Sequence, residues 1–126
     1  MTLEKWILIN LPFLPLSVNE AYAWYPKRHK SDKYKAFEVE MIKHMAKIPK
    51  YEITGNKWLS VKYIFHFPLL YKNGNIRKRD VSNFEKVLSD SLHYHIKWFD
   101  DEKIKQLEMI KEDSEKEWTE IFIYEI

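Results

Sequence analysis

The sequence of 126 residues lacks cysteine, carries little net charge and contains no long uninterrupted hydrophobic run. The absence of cysteine excludes disulfide bonds and thiolate zinc sites. The apolar N-terminal stretch 1–16 is interrupted by Glu4, Lys5 and Asn10, and no small-residue cleavage site follows it. Neither a signal peptide nor a membrane span is therefore predicted, and we expect a soluble, cytoplasmic protein without a membrane partner.

The net charge of +2 and the pI of about 8.6 make the chain only mildly basic. Any affinity for nucleic acid must therefore come from local clusters of basic residues and not from overall charge. The length fits one domain, residues 1–126, and aromatic residues at 16% support a substantial apolar interior. No repeat or low-complexity segment divides the chain.

The spacing of apolar residues predicts the order of helices and strands. Alternating patterns predict strands over residues 3–11, 58–67, 103–111 and 118–126, and helical spacing predicts a helix over 36–48 and another from Ser82. This order, β-α-β-α-β-β, is typical of an α+β domain. We expect a single compact domain in which two helices pack against a mixed β-sheet.

The second helix begins at a sequence with the form of a capping box. Ser82 is followed three residues later by Glu85, so Ser82 is predicted to be the N-cap. Apolar residues then recur three and four residues apart, which predicts one buried face. Asn83, Lys86 and Asp90 lie together on another face.

Acidic and basic residues are concentrated around this helix. Asp80 lies just before it, after the basic run Arg77, Lys78 and Arg79, and Asp100 and Asp101 follow the helix. Carboxylates are the ligands that Mg²⁺ prefers, and a nearby lysine can stabilise charge on a phosphate, so the pattern suits metal-assisted hydrolysis of phosphodiesters. From spacing alone, a capped surface helix with solvated charges remains the alternative.

A second basic segment, 24–35, carries Lys27, Arg28 and Lys30 among aromatic residues. Lysine and arginine neutralise phosphates and aromatic rings stack on unpaired bases, so a DNA-binding loop is one interpretation. A solvated basic loop is the other. His93 and His95 are two residues apart and do not share a helical face, which argues against a zinc-binding pair.

The order of these residues resembles the RusA-like Holliday junction resolvases, crossover junction endodeoxyribonucleases often carried by prophages. The similar positions are Arg79, Asp80, Asn83, Lys86, Asp90, Leu92, Trp98, Asp100, Asp101 and Ile104. Near the N-terminus, the residues from Leu14 to Asn19, with Tyr22, are similar to that family's Pro-Pro-Ser-x-Asn-x-x-Tyr segment.

The resemblance implies a metal-dependent endonuclease that resolves four-way DNA junctions in recombination and repair. It implies Asp80, Lys86 and Asp101 as catalytic residues and Mg²⁺, or Mn²⁺, as the cofactor held by Asp80, Asp100 and Asp101. DNA contacts are expected from Asn83 and from the residues of the two basic segments, Arg77, Lys78, Arg79, Lys27, Arg28 and Lys30. The expected partners are branched DNA and a second copy of the chain in a homodimer.

Two departures from the family pattern bear on function. Ser82 occupies a position where the family carries a second carboxylate, and a neutral hydroxyl is a poorer Mg²⁺ ligand. Glu85 or Asp90 is a candidate replacement ligand. Ile96 occupies the place of the family's glycine after the helix, so His95 is predicted to adopt a left-handed conformation there.

Two further hypotheses remain open from the sequence. Without the carboxylate at position 82, the domain could bind branched DNA and not cleave it. The other hypothesis is a small interaction module whose charges only confer solubility.

Overall fold

A central strand, β4 (Leu59–Phe67), organises the fold. The computed structural model describes residues 6–23, 27–46 and 57–126. Every second side chain from Leu59 to Phe65 is buried, and the side chains between them are partly exposed. This period of two is expected of a strand with one covered face, and it confirms the strand predicted over 58–67.

The main sheet is mixed and has four strands in the order β1-β6-β4-β5. Strand β1 spans Trp6–Leu11, β5 spans Ile104–Asp113 and β6 spans Trp118–Glu125. Strand β4 pairs in parallel with β5 and antiparallel with β6, which in turn pairs antiparallel with β1. The four strands predicted from the sequence are all present.

Two long helices, α2 (Asp32–Met45) and α3 (Ser82–His95), bury their apolar faces in the same core as β4. Helix α3 lies against β4, because the Tyr63 hydroxyl is 2.8 Å from the Ser89 hydroxyl and the ring of Phe65 is 5.4 Å from that of Phe84. This arrangement confirms the predicted α+β class. Within the described residues, no helix is long and apolar enough to cross a membrane.

Three short elements between β1 and α2 were not predicted. They are a one-turn helix, α1 (Val18–Ala21), and two strands that pair with each other, β2 (Tyr22–Ala23) and β3 (His29–Lys30). The structure therefore has three α-helices in its described part, and the prediction of two was incomplete. The segment 24–35 is only partly a loop.

Helix α2 also begins earlier than predicted. The Ser31 hydroxyl accepts a hydrogen bond from the backbone N–H of Tyr34 at 3.1 Å, and this N-cap starts the helix at Asp32 instead of Ala36. Trp24, Tyr25 and the predicted ends at residues 3–5 and 47–48 lie outside the described residues.

The end of α3 differs from the sequence prediction. Ile96 is extended (φ −121°, ψ 109°), and its N–H donates to the carbonyl of Leu92 at 2.8 Å. Among the described residues only Gly74 has a positive φ. The left-handed conformation predicted for His95 is therefore wrong, because an extended residue is sufficient to end this helix.

Candidate metal and DNA-binding site

One face of α3 carries a stripe of exposed polar residues. Ser82, Lys86 and His93 are all exposed and, with 3.6 residues per turn, fall on one side of the helix. The opposite side is buried in the core. Because the helix rises 1.5 Å per residue, Ser82 and His93 lie at two ends of a stripe roughly 16 Å long.

At the N-terminal end of this stripe, Asp80 and Ser82 are joined by two hydrogen bonds. Oδ1 of Asp80 accepts from the Ser82 hydroxyl at 2.6 Å and from the Ser82 N–H at 3.0 Å. An aspartate side chain commonly accepts from the N–H two residues further on. The Asp80 carboxylate therefore satisfies the first turn of α3.

The predicted capping box is wrong. The N-cap is Val81, which has helical backbone angles and forms no side-chain cap hydrogen bond, and Ser82 lies inside the helix. Glu85 does not reach back, because its Oε1 accepts from the Ser89 hydroxyl at 2.7 Å. The Asp80 side chain takes the capping role because it reaches the Ser82 N–H from outside the helix.

The hydrogen bonds from Ser82 also affect the charge of Asp80. They lower the pKa of the Asp80 carboxyl, and the bond from the hydroxyl contributes more than the bond from the backbone N–H. The positive charge of Lys111 lowers this pKa by a smaller amount. Hydrogen bonds to the charged form favour ionisation. Asp80 is therefore a carboxylate at neutral pH, exposed to solvent.

A cleft of about 560 Å³ lies beside Asp80. It brings the N-terminal segment, which is similar to the RusA-like motif, next to the start of α3. Its walls are formed by residues 12–17, Asn19, Glu20, Arg79, Asp80, Asn83, Phe84 and Glu117. The cleft therefore joins the two parts of the sequence that carry the resemblance.

Midway along the stripe, Lys86 is paired with Asp90. The Lys86 Nζ donates to Asp90 Oδ1 at 3.1 Å, and 63% of the lysine side chain is exposed. The hydrogen bond to Asp90 and the negative charge of Asp90 are the main causes that raise the pKa of Lys86. The charges of Asp101 and Glu85 raise it by smaller amounts. The amine is therefore protonated and lies within the electrostatic reach of Asp101.

At the C-terminal end of the stripe, a tight turn brings Asp100 and Asp101 back to His93. The turn is anchored by Phe99, which is fully buried and whose N–H donates to the Ile96 carbonyl at 3.0 Å. One carboxylate oxygen of each aspartate and one ring nitrogen of His93 all lie within 4.8 Å of one another. Two carboxylates and an imidazole are a donor set that fits a divalent cation.

The structure thus brings together only some of the predicted metal ligands. Asp100 and Asp101 form a group with His93, and Asp80 is not a member of it. Asp100 also accepts from the Glu102 N–H at 3.0 Å, which fixes the start of a single 3₁₀ turn, Asp101–Lys103. The role of Asp80 as a metal ligand stays a prediction.

The sequence did not predict His93 as a ligand, because this residue was considered only as a possible metal-binding pair with His95. The two rings do point to different neighbours, as their spacing predicted. His95 lines a separate pocket with Tyr34 and Glu38, and burial lowers the pKa of its imidazole. The only sequence feature that points to His93 is the short segment with aromatic residues between α3 and Asp100. That feature alone does not predict that Asp100 and Asp101 fold back beside His93.

The basic run before Asp80 is not uniform. Arg79 forms a 2.7 Å ion pair with Glu117, and its guanidinium lies over the rings of Phe67 and Phe84 at 5.2 and 5.9 Å from their centroids. Arg77 is half-buried, with its guanidinium 4.7 Å from the centroid of the Tyr71 ring. Lys78, in contrast, is exposed.

The other predicted DNA-contacting residues lie on two different parts of the surface. Asn83 is half-buried in the wall of the Asp80 cleft, and its N–H donates to the Asp80 carbonyl at 3.2 Å. Lys27, Arg28 and Lys30 are exposed at the β2–β3 pair, where Lys30 is bound to Glu38 at 2.7 Å. The side chain of Arg28 lies over the ring of Tyr22.

Comparison with known proteins identifies the family. A search of curated proteins finds no match to this chain. A model of the family described as Endodeoxyribonuclease RusA matches residues 15–124, which include the cleft segment, α3 and the turn that carries Asp100 and Asp101. Because the match covers most of the 126 residues, the chain belongs to the RusA endodeoxyribonuclease family.

Proposed function

We propose that the protein is a divalent-metal-dependent endonuclease that cleaves four-way DNA junctions in recombination and repair. One observation carries the proposal: in a member of a nuclease family, the exposed face of α3 that carries Lys86 ends at a group of potential metal ligands, His93, Asp100 and Asp101. A cation and metal-binding carboxylates on one exposed surface are what phosphodiester hydrolysis requires.

Asp100 and Asp101 would hold the ion. A bound divalent cation, Mg²⁺ or Mn²⁺, would supply Lewis-acid stabilisation of the phosphate and a more acidic water. The Asp101 side chain is exposed at the start of the 3₁₀ turn. Its carboxylate lies near the Asp100 carboxylate and near the His93 ring. It is therefore accessible to an ion from solvent.

Lys86 would lie next to the scissile phosphate. Its present partner, Asp90, is one turn along the same helix, and exposed pairs of this kind stabilise a helix by only about 0.3–0.5 kcal/mol. A DNA phosphodiester carries the same single negative charge as a carboxylate, so exchange of partner costs little. The lysine can then neutralise charge that develops in the transition state.

Asp80 is proposed as a further acid of the site, as the family resemblance implies. Its carboxylate is ionised and exposed, and only Oδ1 is used in bonding to Ser82. Asn83 lies in the wall of the same cleft and is proposed to contact the DNA backbone.

For the DNA surface, we propose Lys78 and Arg77 near the site and Lys27, Arg28 and Lys30 at the β2–β3 pair. Exposed lysines and arginines near a site that binds a polyanion raise its affinity through phosphate neutralisation. Arg79 contributes indirectly. Its ion pair with Glu117 fixes the chain immediately before Asp80, so it positions the acid as well as adding positive charge.

We propose that the protein acts as a homodimer in the cytoplasm. Resolution of a four-way junction requires two symmetric cuts, and a two-fold dimer supplies two related active sites in one step. The proposal is tested by size-exclusion chromatography with light scattering, alone and with junction DNA. A monomer in both conditions would contradict it.

A second candidate function is favoured by one observation. The Ser82 hydroxyl donates to Asp80, so the start of α3 offers one negative charge, where the family resemblance implies two. A site with less charge binds Mg²⁺ more weakly. The domain would then be a branched-DNA-binding protein that cleaves slowly or not at all.

Cleavage of a synthetic four-way junction, with and without Mg²⁺ or Mn²⁺, separates the two functions. The nuclease produces paired nicks only when metal is present. The binding protein shifts the junction on a gel and produces no nicks with either ion.

A further inference from the structure

The ring of His93 is held in one orientation by a backbone carbonyl. Its Nδ1 lies 2.8 Å from the carbonyl oxygen of Phe99, and a carbonyl can only accept. In the neutral ring, Nδ1 therefore carries the hydrogen and Nε2 keeps its lone pair. A histidine whose other ring nitrogen donates to a backbone carbonyl is the usual form of a metal-ligating histidine.

The carbonyl itself is fixed by the core. Phe99 is 0% exposed, so the turn that it anchors cannot move without opening the apolar interior. The same turn carries Asp100 and Asp101. The turn that carries the two carboxylates and the carbonyl that accepts from His93 are therefore held by buried packing, although the three side chains themselves reach solvent.

The distances in this group are close to those of a metal site. Ligand atoms on one ion are at most about 4.4 Å apart, twice a bond of about 2.2 Å. One ring nitrogen of His93 and one carboxylate oxygen of each aspartate already lie within 4.8 Å of one another. Because Asp101 is exposed, a small rotation of its side chain closes the difference while the His93 ring keeps its bond to Phe99.

The two acids that the sequence offered as replacements for the carboxylate missing at position 82 have hydrogen-bond partners elsewhere on α3. Glu85 accepts a hydrogen bond from Ser89, and Asp90 is paired with Lys86. Neither belongs to the group at Asp100 and Asp101. Within the described residues, His93 is the third donor that this group offers.

We infer that His93 is a ligand of the ion held by Asp100 and Asp101, and that it makes the site prefer first-row transition-metal ions such as Mn²⁺ over Mg²⁺. Imidazole nitrogen suits transition metals, whereas Mg²⁺ is bound almost entirely through oxygen. The neutral histidine also leaves the group with only two negative charges. This inference deepens the proposed function and rests on it for the role of the two aspartates.

The first experiment measures ion binding and does not depend on cleavage. Mn²⁺ affinity is measured by the electron paramagnetic resonance signal of the free ion, and Mg²⁺ affinity by competition, for the full chain and for His93→Gln. We expect His93→Gln to weaken Mn²⁺ binding by about tenfold or more and Mg²⁺ binding by less.

His29→Gln is the matched control. His29 is also exposed, and its Nδ1 lies 2.8 Å from the carbonyl of Lys27, but it belongs to no group of metal-binding side chains among the described residues. Its replacement is expected to leave Mn²⁺ affinity unchanged. Equal Mn²⁺ affinity in the wild type and in His93→Gln, or an equal loss for both ions, would overturn the inference.

A second measurement uses the unmodified protein, so it does not depend on a variant's folding. On addition of Zn²⁺, the ¹⁵N resonance of His93 Nε2 is expected to shift strongly. The ¹⁵N resonances of the His29 ring are expected to stay unchanged. An unshifted His93 resonance at saturating Zn²⁺ contradicts ligation.

The outcomes for the inference and for the proposed function are separable. A protein that binds Mn²⁺ through His93 but never nicks a junction supports the inference and refutes the nuclease. A protein that nicks junctions while His93→Gln binds Mn²⁺ like the wild type retains the nuclease and refutes the inference.

Discussion

The hydroxyl of Ser82 donates a 2.6 Å hydrogen bond to Oδ1 of Asp80, so the first residue of α3 is tied to the acid that precedes the helix. The same Oδ1 accepts the Ser82 N–H. The first turn of α3 and the ionisation of Asp80 therefore both depend on the contacts of this one oxygen with Ser82. Substitutions at position 82 should change both properties.

Ser82→Ala is expected to raise the pKa of Asp80 towards its ordinary value. The Ser82 hydroxyl is the largest cause of the lowered pKa, and alanine removes it while keeping the backbone N–H. The measurement is a carboxyl ¹³C titration by NMR. An unchanged pKa would show that the hydroxyl bond does not persist in solution.

The same variant has a predictable effect on acid stability. Because the folded pKa of Asp80 lies below its unfolded value, the interaction stabilises the fold above the unfolded pKa and is lost as pH falls through the folded pKa. The difference in unfolding free energy between wild type and Ser82→Ala should therefore be constant near neutral pH and disappear in acid. If the difference in unfolding free energy between the two proteins grew in acid, this prediction would be wrong.

Ser82→Asp is expected to place a second carboxylate beside Asp80 in place of a hydrogen-bond donor. The pKa of Asp80 should rise, because like charges disfavour ionisation. Added Mg²⁺ should relieve the repulsion, so the increase in melting temperature on adding Mg²⁺ should be larger than for the wild type. Ser82→Asn, which is neutral, is the control and should show no larger increase than the wild type.

Asp80→Asn is expected to abolish cleavage and to leave junction binding equal or stronger. The amide removes a negative charge that repels phosphate, and asparagine can still accept from the Ser82 N–H and support the first turn. Gel shifts and nicking assays on one preparation measure the two properties. Loss of both together would show that Asp80 has a structural role only.

The basic residues before Asp80 should fall into two classes. Replacing the exposed Lys78 by alanine should reduce the salt dependence of DNA binding by about one unit of slope for each phosphate that is no longer neutralised, with little change in stability. Arg79→Ala should in addition lower the unfolding free energy by about 1 kcal/mol, because it removes the Glu117 pair and the stacking on two rings. A double-mutant cycle with Glu117→Gln measures the coupling, and a value near zero would leave Arg79 as a surface charge.

The sequence predicted the parts of the fold that depend on periodic burial. Strand β4 and the buried face of α3 follow from apolar residues at spacings of two and of three to four. The sequence did not predict where local side-chain bonds decide the ends of elements. Ser31 starts α2 early, and Asp80 replaces Ser82 in satisfying the start of α3.

The sequence predicted only part of the candidate site, because spacing along the chain predicts contacts within a helix but not contacts between a helix and a distant turn. Lys86 and Asp90 share a helix face, so their pairing follows from spacing. The group of His93 with Asp100 and Asp101 depends on a turn closed by the burial of Phe99, which is a tertiary event. No spacing rule relates a helical residue to one beyond such a turn.

The central claim is tested most directly by nicking of a synthetic four-way junction by the wild type, Asp101→Asn and Glu102→Gln, with Mg²⁺ and with Mn²⁺. Glu102 is the matched control, because it is an exposed acid next to Asp101 that is not part of the metal-binding group. We predict paired, metal-dependent nicks from the wild type and Glu102→Gln, and none from a folded, junction-binding Asp101→Asn. A wild type that binds the junction and does not nick it with either ion would contradict the account.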